Sequence, residues 1–323
     1  MSIVVPARNE EWLARTIQDI LEHKEAKTEV IAVLDGQWAS PAIAQHPDVN
    51  VIYVPESVGQ RAATNLGVKL SQAKYVAKVD AHTAYDQGFD RKLIEAFEKE
   101  GENCIIVPVM RNLHVFDWKC YHCGWRRYQG PKPSECGGCK KGDKFRRKVV
   151  WKPRSGIHST SYAFDAEPHF IYFEDWKHRP QYIKDKEEKR ITETMSLQGS
   201  FFMATRKVYW KLKLSDESVG NWGNQGIELA GKMWCSGGRV LVYHDTWYAH
   251  LFRTQADFGF PYPQSGKHVS RTKKRVWEYF FNGKFKQQIH PISWLVEKFS
   301  PVPGWDEAKI NELKSREKGL KMV

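Results

Sequence analysis

Four of the six cysteines fall into two pairs whose spacing is typical of a metal site. Cys120 and Cys123 form the first pair, and Cys136 and Cys139 follow after twelve intervening residues. This spacing predicts a tetrahedral Zn²⁺ site of four thiolates, built from two tight turns. Because four thiolates leave no open coordination position, the zinc is expected to be structural. The alternative is a reduced loop without metal.

A second candidate metal site is Asp80-Ala81-His82, which comes directly after the apolar segment 75–79. A carboxylate and an imidazole two residues apart at the end of a strand can point into one site. This donor pair suits Mn²⁺ or a similar divalent ion. Asp-x-His also occurs often by chance, and the alternative is a helix-capping aspartate followed by a surface histidine.

The segments that must position these residues have the pattern of an α/β fold. Apolar runs predict strands at 3–6, 30–34, 51–54, 75–79, 104–109, 201–204 and 239–243, and helical spacing predicts helices at 10–23, 59–71, 89–100 and 224–235. Strands that alternate with helices predict a Rossmann-like, mostly parallel sheet with right-handed crossovers. In such sheets ligands bind at the carboxyl ends of the strands, where Asp35 and Asp80 lie.

The positive charge of the chain is concentrated in two segments. The formal net charge is +12 over 323 residues. Residues 119–154 carry twelve Lys and Arg against two acidic residues, and residues 265–290 carry seven against one. Such local excess predicts an anionic partner, which is nucleic acid, an anionic glycan or a membrane surface. The alternative is a pair of solvated basic loops.

Composition also bears on the compartment. The hydrophobic fraction is 41%, which is typical of a globular protein, and no apolar run approaches the roughly 20 residues of a membrane span. Met1 leads directly into apolar residues without a leader-like segment, so we expect a cytoplasmic location, in the host if the protein is viral. A reducing compartment argues against disulfides among the four grouped cysteines.

Four motifs, taken in order, resemble those of nucleotide-sugar glycosyltransferases of the GT-A fold. They are residues 4–10 (VVPARNE), Asp35-Gly36, residues 59–67 (GQRAATNLG) and Asp80-Ala81-His82. The resemblance implies a UDP-sugar donor and a divalent ion, Mn²⁺ or Mg²⁺. It also implies that eight residues bind the donor: Pro6, Arg8, Asn9, Glu10, Asp35, Arg61, Asn65 and Asp80.

Later segments are similar to the catalytic domains of polypeptide N-acetylgalactosaminyltransferases. The similarity lies in residues 221–229 (NWGNQGIEL), 234–239 (WCSGGR) and 248–253 (YAHLFR). It implies that His250 completes a metal site with Asp80 and His82. One departure is Asn224-Gln225-Gly226, where that family usually has Gly-Glu-Asn. We therefore expect a changed donor or acceptor contact there.

The resemblance covers roughly residues 2–115 and 195–255, so the cysteine segment and the last part of the chain lie outside it. This predicts four segments. They are a nucleotide-sugar-binding half at 1–116, a zinc-ribbon insertion at 117–154, an acceptor half with the third metal ligand at 155–255, and a basic, aromatic-rich helical extension at 256–323.

The resemblance also implies how the transfer is catalysed. A metal held by Asp80, His82 and His250 would bind both phosphates of the donor and act as a Lewis acid on the leaving diphosphate. Arg253 would add positive charge beside the same group. The alternative for His250 is a packed or surface histidine.

Two stereochemical outcomes stay open. An inverting enzyme needs a carboxylate base, for which Glu228 is the best candidate and Asp216 and Glu217 are weaker ones. The similar family is retaining, which favours retention and a positioning role for Glu228. The alternative for Glu228 is a carboxylate near a helix N-terminus, where the macrodipole favours it.

Three functional hypotheses follow. The first is a metal-dependent glycosyltransferase that uses a UDP-sugar and a hydroxyl acceptor, such as a hydroxymethylated base in phage-type DNA. The second is a glycosyltransferase acting on a peptide, glycan or lipid-linked acceptor, and the third is a catalytically inactive zinc-ribbon protein that binds nucleic acid. In the first, the basic, aromatic ribbon and a patch from Lys267 to Arg275 dock the acceptor. Otherwise the ribbon only braces a long loop.

Overall fold

The computed structural model describes residues 1–142, 144–253, 259–262 and 266–322, with side chains from 270 onward in the last range. Asp143 and the side chain of Lys267, which the charge analysis counts, lie outside it. The strands are β1 (Ser2–Ala7), β2 (Glu29–Asp35), β3 (Val49–Val54), β4 (Tyr75–Val79), β5 (Thr83–Tyr85), β6 (Cys104–Cys120), β7 (Arg126–Tyr128), β8 (Phe145–Ser159), β9 (Tyr162–Phe164), β10 (Phe170–Tyr172), β11 (Ile191–Glu193), β12 (Phe201–Thr205) and β13 (Arg239–His250). The helices are α1 (Leu13–His23), α2 (Gln60–Leu70), α3 (Phe89–Glu100), α4 (Pro180–Glu188), α5 (Arg206–Leu212), α6 (Gln225–Cys235), α7 (Gly266–Phe281), α8 (Ile292–Lys298) and α9 (Glu307–Glu317).

Eleven of the described strands form one mixed sheet. Its order is β11-β13-β6-β12-β4-β1-β2-β3, with β5 on β13 and with β7 and β8 on β6. The neighbours β4, β1, β2 and β3 are parallel, because crossover helices such as α1 and α2 join them. Strand β12 enters antiparallel between β4 and β6, so the predicted parallel pattern holds for the first half of the chain and gives way to mixed pairing after it.

Helix α1 begins three residues later than the sequence pattern predicts. Residues 10–12 lie outside the helix, and the side chain of Glu10 contacts His82 and Arg253. Trp12 packs against Trp151 of β8, with ring centres 5.9 Å apart. These tertiary contacts hold Glu10 at the carboxyl end of β1, beside the end of β4.

Helix α2 lies very close to the sheet. A Cβ atom on Gly67 would come within 2.4 Å of a methyl carbon of Val4 and 3.2 Å of one on Val33. The helix can therefore pack on β1 and β2 at this distance only because residue 67 has no side chain. This packing fixes the start of α2 and the preceding Gly59 near the site described below.

Strands β6 and β8 form a long antiparallel hairpin that carries the four cysteines at its end. The pairing runs from Met110 with Ser159 to Cys120 with Phe145, and β7 pairs with the other edge of β6. Both boundaries of the predicted insertion at 117–154 therefore fall inside strands. The cysteine segment is the end of a hairpin that starts in the main sheet.

The helices after β13 pack against the same core as the rest of the molecule. Val276, Phe280, Leu295 and Phe299 belong to one apolar cluster with Val4 and other residues of the central strands. The predicted segments 1–116, 155–255 and 256–323 thus share a core. None of the described helices is both long enough and apolar enough to cross a membrane.

Candidate functional site

Asp80 lies at the carboxyl end of β4, next to a buried lysine of the same strand. Lys78 Nζ donates to Asp80 Oδ1 at 2.5 Å and to the carbonyl oxygen of Gly199 at 2.8 Å. Burial opposes ionisation of the carboxyl, but the charge of Lys78 and the neighbouring histidines outweigh it and hold the pKa of Asp80 far below its usual range. Asp80 is therefore an anion with Oδ1 bound to Lys78 and Oδ2 directed toward His250.

His250 is the last residue of β13, and its pairing with Thr83 brings it beside Asp80. Its Nε2 lies 3.3 Å from Asp80 Oδ2. Beyond this contact with Asp80, neither ring nitrogen has a hydrogen-bond partner among the described residues. Burial lowers the pKa of His250 to about 4, so the imidazole is neutral. A buried, neutral, unpartnered imidazole is suited to bind a metal ion.

His82 is held in place by a carboxylate. Its Nδ1 lies 3.1 Å from Glu10 Oε2, and Arg253 donates to the other oxygen of Glu10 and to the carbonyl oxygen of Gly259. A carboxylate bound to one ring nitrogen orients the second nitrogen toward a metal. Arg253 thus positions Glu10 in this structure, and its predicted contact with a diphosphate stays a prediction.

The three side chains form one cluster. Donor atoms of Asp80, His82 and His250 all lie within 4.8 Å of one another. Two ligands at right angles, each about 2.1 Å from an ion, are about 3 Å apart, which is close to the distance between Asp80 Oδ2 and His250 Nε2. The residues present therefore fit a small divalent cation.

Two adjoining cavities of about 200 and 390 Å³ meet at this cluster. Both are lined by Gln60, Asp80, Gln198 and Trp222. The first extends along Pro6, Arg8, Glu10, Arg253 and Tyr262. The second extends along Phe170, Gly223, Asn224, Gln225 and Ile227. The cleft therefore has a cationic, aromatic end and an amide-rich end, with the metal-ligand cluster between them.

Asn224 lines the second cavity and carries a buried amide donor. It precedes α6 with φ +50°, and its Nδ2 has no hydrogen-bond partner among the described residues. It belongs to the segment in which the sequence departs from the Gly-Glu-Asn of the similar family. The segment in which a changed contact is predicted therefore lines the second cavity.

The other predicted donor-binding residues lie in different places relative to the cleft. Pro6 and Arg8 line the first cavity, whereas Asn9 is exposed and lines neither cavity. Asp35 is fully buried and accepts hydrogen bonds from Ser57, Val58, Gly59 and Tyr262. Its carboxylate therefore organises the chain before α2 and holds Tyr262 at the wall of the cleft.

Arg61 and Glu228 are not among the described residues that line the two cavities, so neither the predicted donor contact of Arg61 nor the predicted base or positioning role of Glu228 has a partner in the cleft here, and both stay predictions. Each side chain is 1% exposed, and they form an ion pair with Arg61 Nη2 2.8 Å from Glu228 Oε2. Lys232 binds the other carboxylate oxygen at 2.6 Å. Two buried cations therefore hold this carboxylate.

Three further candidates have structural partners as well. Asn65 donates to Glu217 and to the carbonyl oxygen of Ser215, and it accepts from Tyr209. Asp216 caps a short 3₁₀ turn by accepting from the backbone N–H of Ser218. None of Asn65, Asp216 and Glu217 is among the described residues that line the two cavities.

The four cysteines form a compact cluster at the end of the hairpin. All Sγ atoms lie within 4.8 Å of one another, with Cys120 and Cys139 3.9 Å apart and Cys123 and Cys136 3.5 Å apart. Tetrahedral Zn–S bonds of about 2.3 Å give sulfur separations of about 3.8 Å, so the arrangement is compatible with zinc. Backbone N–H groups of His122 and Cys139 point at Cys120 Sγ and Cys136 Sγ, respectively. Such donors stabilise thiolates.

Residues that sequence reasoning missed are Lys78, Gln198, Trp222 and Tyr262. Lys78 had a local signal, since a lysine inside an otherwise apolar strand and two residues before Asp80 needs a buried anion. Gln198 and Tyr262 had no local signal in the sequence, because loops bring them to the cleft. Trp222 lies in a motif that was noted, but only the fold places its ring against both cavities.

Comparison with solved structures identifies the fold. A crystal structure of GalNAc-T7 with UDP, GalNAc and Mn²⁺ matches 99% of this chain and 55% of that chain, with a TM-score of 0.61 and 15% sequence identity. The chain has the GT-A fold. The predicted fold class is therefore confirmed, and the GT-A sheet carries the cysteine hairpin described above.

Sequence comparison agrees with this fold. Residues 2–137 match the model of glycosyl transferase family 2. A putative polypeptide N-acetylgalactosaminyltransferase 13 of Drosophila melanogaster is 22% identical over 315 residues, which are 92% of this chain and 48% of that protein. Human polypeptide N-acetylgalactosaminyltransferase 10 is 21% identical over 288 residues, 86% of this chain and 41% of that protein. This chain therefore spans about half the length of these relatives or less. The predicted resemblance to glycosyltransferases is confirmed.

Proposed function

We propose that the protein is a metal-dependent glycosyltransferase that moves a hexose or N-acetylhexosamine from a UDP-sugar to a hydroxyl group. The observation that carries this proposal is the unpartnered His250 imidazole, which shares one cluster with Asp80 and His82. The crystallised relative GalNAc-T7 contains UDP, GalNAc and Mn²⁺, which supports the same donor class and ion here.

Asp80, His82 and His250 would hold the ion, Mn²⁺ or Mg²⁺. Bound there, it would neutralise the charge that develops on the leaving diphosphate. Lys78 keeps Asp80 ionised, and Glu10 fixes the ring of His82. These two residues therefore pre-organise the ligands rather than touching the donor themselves.

The two ends of the cleft suit the two ends of the donor. Arg8 and Tyr262 line the cationic, aromatic end, where a nucleoside and its phosphates would bind. Gln198, Asn224 and Gln225 line the amide-rich end, where sugar hydroxyls would find hydrogen-bond partners. The segment in which the sequence departs from the similar family therefore lies at the proposed sugar end.

The described carboxylates of the cleft support retention of configuration. Inversion needs a carboxylate that accepts the proton of the acceptor hydroxyl. Among the described residues that line either cavity, the carboxylates are Glu10, in the first cavity, and Asp80, in both. Glu10 binds His82 and Arg253, and Asp80 binds Lys78, so neither is placed as a base.

We also propose that the acceptor is an anionic polymer, with a hydroxymethylated base in DNA as the leading case. The basic hairpin supports this choice, because its end combines a cysteine cluster that fits zinc with exposed Arg and Lys side chains. A peptide acceptor is the second candidate. The names of the relatives favour it, since those enzymes are polypeptide N-acetylgalactosaminyltransferases.

The test measures donor turnover and product separately. With Mn²⁺ and a panel of UDP-sugars, the protein should release UDP slowly in water and faster with the right acceptor. Asp80→Asn and His250→Ala should lower this rate at least 100-fold, whereas Asp86→Asn, at a half-buried pair with Lys92 outside both cavities, should leave it unchanged. Full turnover by Asp80→Asn would refute the metal site.

Mass spectrometry then identifies the acceptor. Hydroxymethylated duplex and single-stranded DNA, peptides and glycans are incubated in parallel, digested and searched for a hexose or N-acetylhexosamine increment. An increment on a nucleoside establishes the DNA acceptor. An increment on peptide alone rejects it and establishes the second candidate, and DNA binding without any turnover favours the inactive binding protein.

A further inference from the structure

The hairpin of β6, β7 and β8 has two different faces. Arg126, Lys119 and Arg146 lie directly opposite one another across the three strands. Opposite residues of antiparallel strands project from the same face, and every second residue joins them. The remaining members of this face include Tyr121, Tyr128, Lys148 and Asp117. We call this set the cationic face.

The other face packs on the body of the protein. Phe116 and Trp118 belong to an apolar cluster with Trp12 and Leu251, the residue after His250. Arg147 forms two hydrogen bonds with Glu11, at 2.7 and 2.9 Å. Because this face is used in folding, the cationic face is turned to solvent, where Arg126 and Arg146 are exposed.

The row of three cations is poorly compensated within the protein. Like charges directly opposite each other on neighbouring strands destabilise a sheet. Among the described residues, the carboxylate within ion-pair distance of this row is Asp117, 3.8 Å from Arg126. Arg147 on the packed face has a bidentate partner, so its contact with the body of the protein explains that arginine. Within the part of the chain that the structure describes, no such contact explains the three cations of the row. A bound polyanion would relieve the repulsion.

Aromatic rings indicate which polyanion fits. The Arg146 guanidinium lies 5.6 Å from the ring centre of Tyr121, and Arg154 lies 5.0 Å from that of Tyr128. Tyr121 is 62% exposed. Exposed rings among cations bind strands whose bases are unstacked, whereas duplex phosphates require cations alone. Lipid binding favours inserted aliphatic or Trp side chains, and the residues of this face named above include no Leu, Ile or Trp.

We propose that the cationic face docks a single-stranded stretch of nucleic acid, with phosphates on the arginines and lysine and bases against Tyr121 and Tyr128. This proposal rests on the proposed glycosyltransferase function, for which it supplies the way the acceptor is held. The hairpin is tied to the catalytic edge, since Trp151 donates to Asp19 of α1 at 2.7 Å and Arg147 binds Glu11, the neighbour of Glu10.

Two adjacent residues of β7 provide a matched test. Arg126→Gln removes a charge from the cationic face, and Arg127→Gln removes the same charge from the opposite face of the same strand. A fluorescent 20-nucleotide single strand is titrated against full-length protein by anisotropy at several salt concentrations. We expect Arg126→Gln to weaken binding several-fold and to make the salt slope shallower by about 0.7, the value for one lost phosphate contact on a single strand. Arg127→Gln should stay within twofold of the unchanged protein.

Tyr121→Ala tests stacking without a change of charge. It should weaken single-strand binding about tenfold and leave the salt slope unchanged, while a duplex of the same sequence is affected less. Equal loss for Arg126→Gln and Arg127→Gln would overturn the proposal. So would tighter binding to phosphatidylserine vesicles than to the oligonucleotide at the same salt.

Donor hydrolysis separates this proposal from the proposed function. A triple variant, Lys119→Gln/Arg126→Gln/Arg146→Gln, should keep acceptor-independent UDP release. It should also keep the thermal stability of the unchanged protein, because the three cations it removes repel one another. Loss of DNA binding with intact UDP release confirms the cationic face. DNA binding that depends on this face in a protein without UDP release rejects the enzyme proposal and keeps the docking surface.

Discussion

Arg61 and Glu228, 167 positions apart in the chain, form a buried ion pair that holds a loop of the cleft. The same guanidinium donates to the carbonyl oxygens of Gly220 and Gly223 at 3.0 and 2.7 Å. Those two glycines flank Trp222, whose side chain lines both cavities. The ion pair therefore acts on the site through the backbone rather than through contact with substrate.

Glu228→Gln should destabilise the protein strongly and leave the chemistry intact. It would leave Arg61 and Lys232 buried with much less compensating charge, at a cost of about 3–5 kcal/mol in the free energy of unfolding. Urea unfolding measures this cost, and Glu95→Gln at the exposed pair with Arg91 should change the midpoint little. A 100-fold lower kcat with normal stability, together with loss of the acidic limb of the pH profile, would instead identify Glu228 as a base.

Glu10→Gln should weaken metal binding. The substitution removes the charge that orients His82, and loss of such a carboxylate typically lowers metal affinity 10- to 100-fold. Titration of Mn²⁺ by calorimetry measures the affinity directly. Glu11→Gln is the matched control, because the next residue binds Arg147 of the hairpin instead. Equal Mn²⁺ affinity for both variants would contradict the positioning role of Glu10.

Zinc removal should expose four thiols out of six. Burial raises the pKa of Cys104 to about 12 and raises that of Cys235 further, so both stay unreactive until the core unfolds. We expect elemental analysis to give one zinc per chain and thiol titration to count four fast thiols after chelation. Four fast thiols before chelation would establish the reduced loop without metal.

The stability of the protein should fall below pH 6.5 because of His244. Burial, followed by the charges of Lys186 and Arg190, lowers the pKa of this histidine to about 4. The unfolded chain takes up the proton near pH 6.5 and the folded chain does not, so stability is lost as the pH falls between these values.

A His244→Gln variant isolates this effect. Between pH 7 and pH 5 the unchanged protein should lose about 2 kcal/mol more than the variant, from about 1.4 kcal/mol per pKa unit. Urea unfolding at the two pH values measures the difference. His158→Gln, at an exposed neighbouring histidine, should behave like the unchanged protein.

Elements with strong local signals were predictable from the sequence. The helix predicted at 89–100 is observed as Phe89–Glu100, because Gly88 and Gly101 flank a clear amphipathic pattern at positive φ. The ends of β1, β2 and β4 were close for a similar reason, since their apolar runs stop at polar residues. Asp80, His82 and His250 could be grouped because the order of motifs carries information that no single motif does.

The partners of charged residues could not be predicted. A glutamate in the first turn of a helix has the same local pattern whether it faces a cleft or, as Glu228 does, a buried arginine. The antiparallel entry of β12 between β4 and β6 was also missed. Its apolar run fits either direction, and the choice depends on connections that lie far away in the chain.

Strand β6 gives the molecule a mechanical property. It runs without interruption from Cys104 in the core to Cys120 at the cysteine-bearing end of the hairpin, 17 residues or roughly 55 Å at strand spacing. Along the way, Asn112 is in register with His250. One continuous strand therefore joins the tip of the hairpin to the strand that carries the candidate metal ligand His250. An acceptor bound at the tip would therefore be connected to the candidate catalytic centre through a single strand.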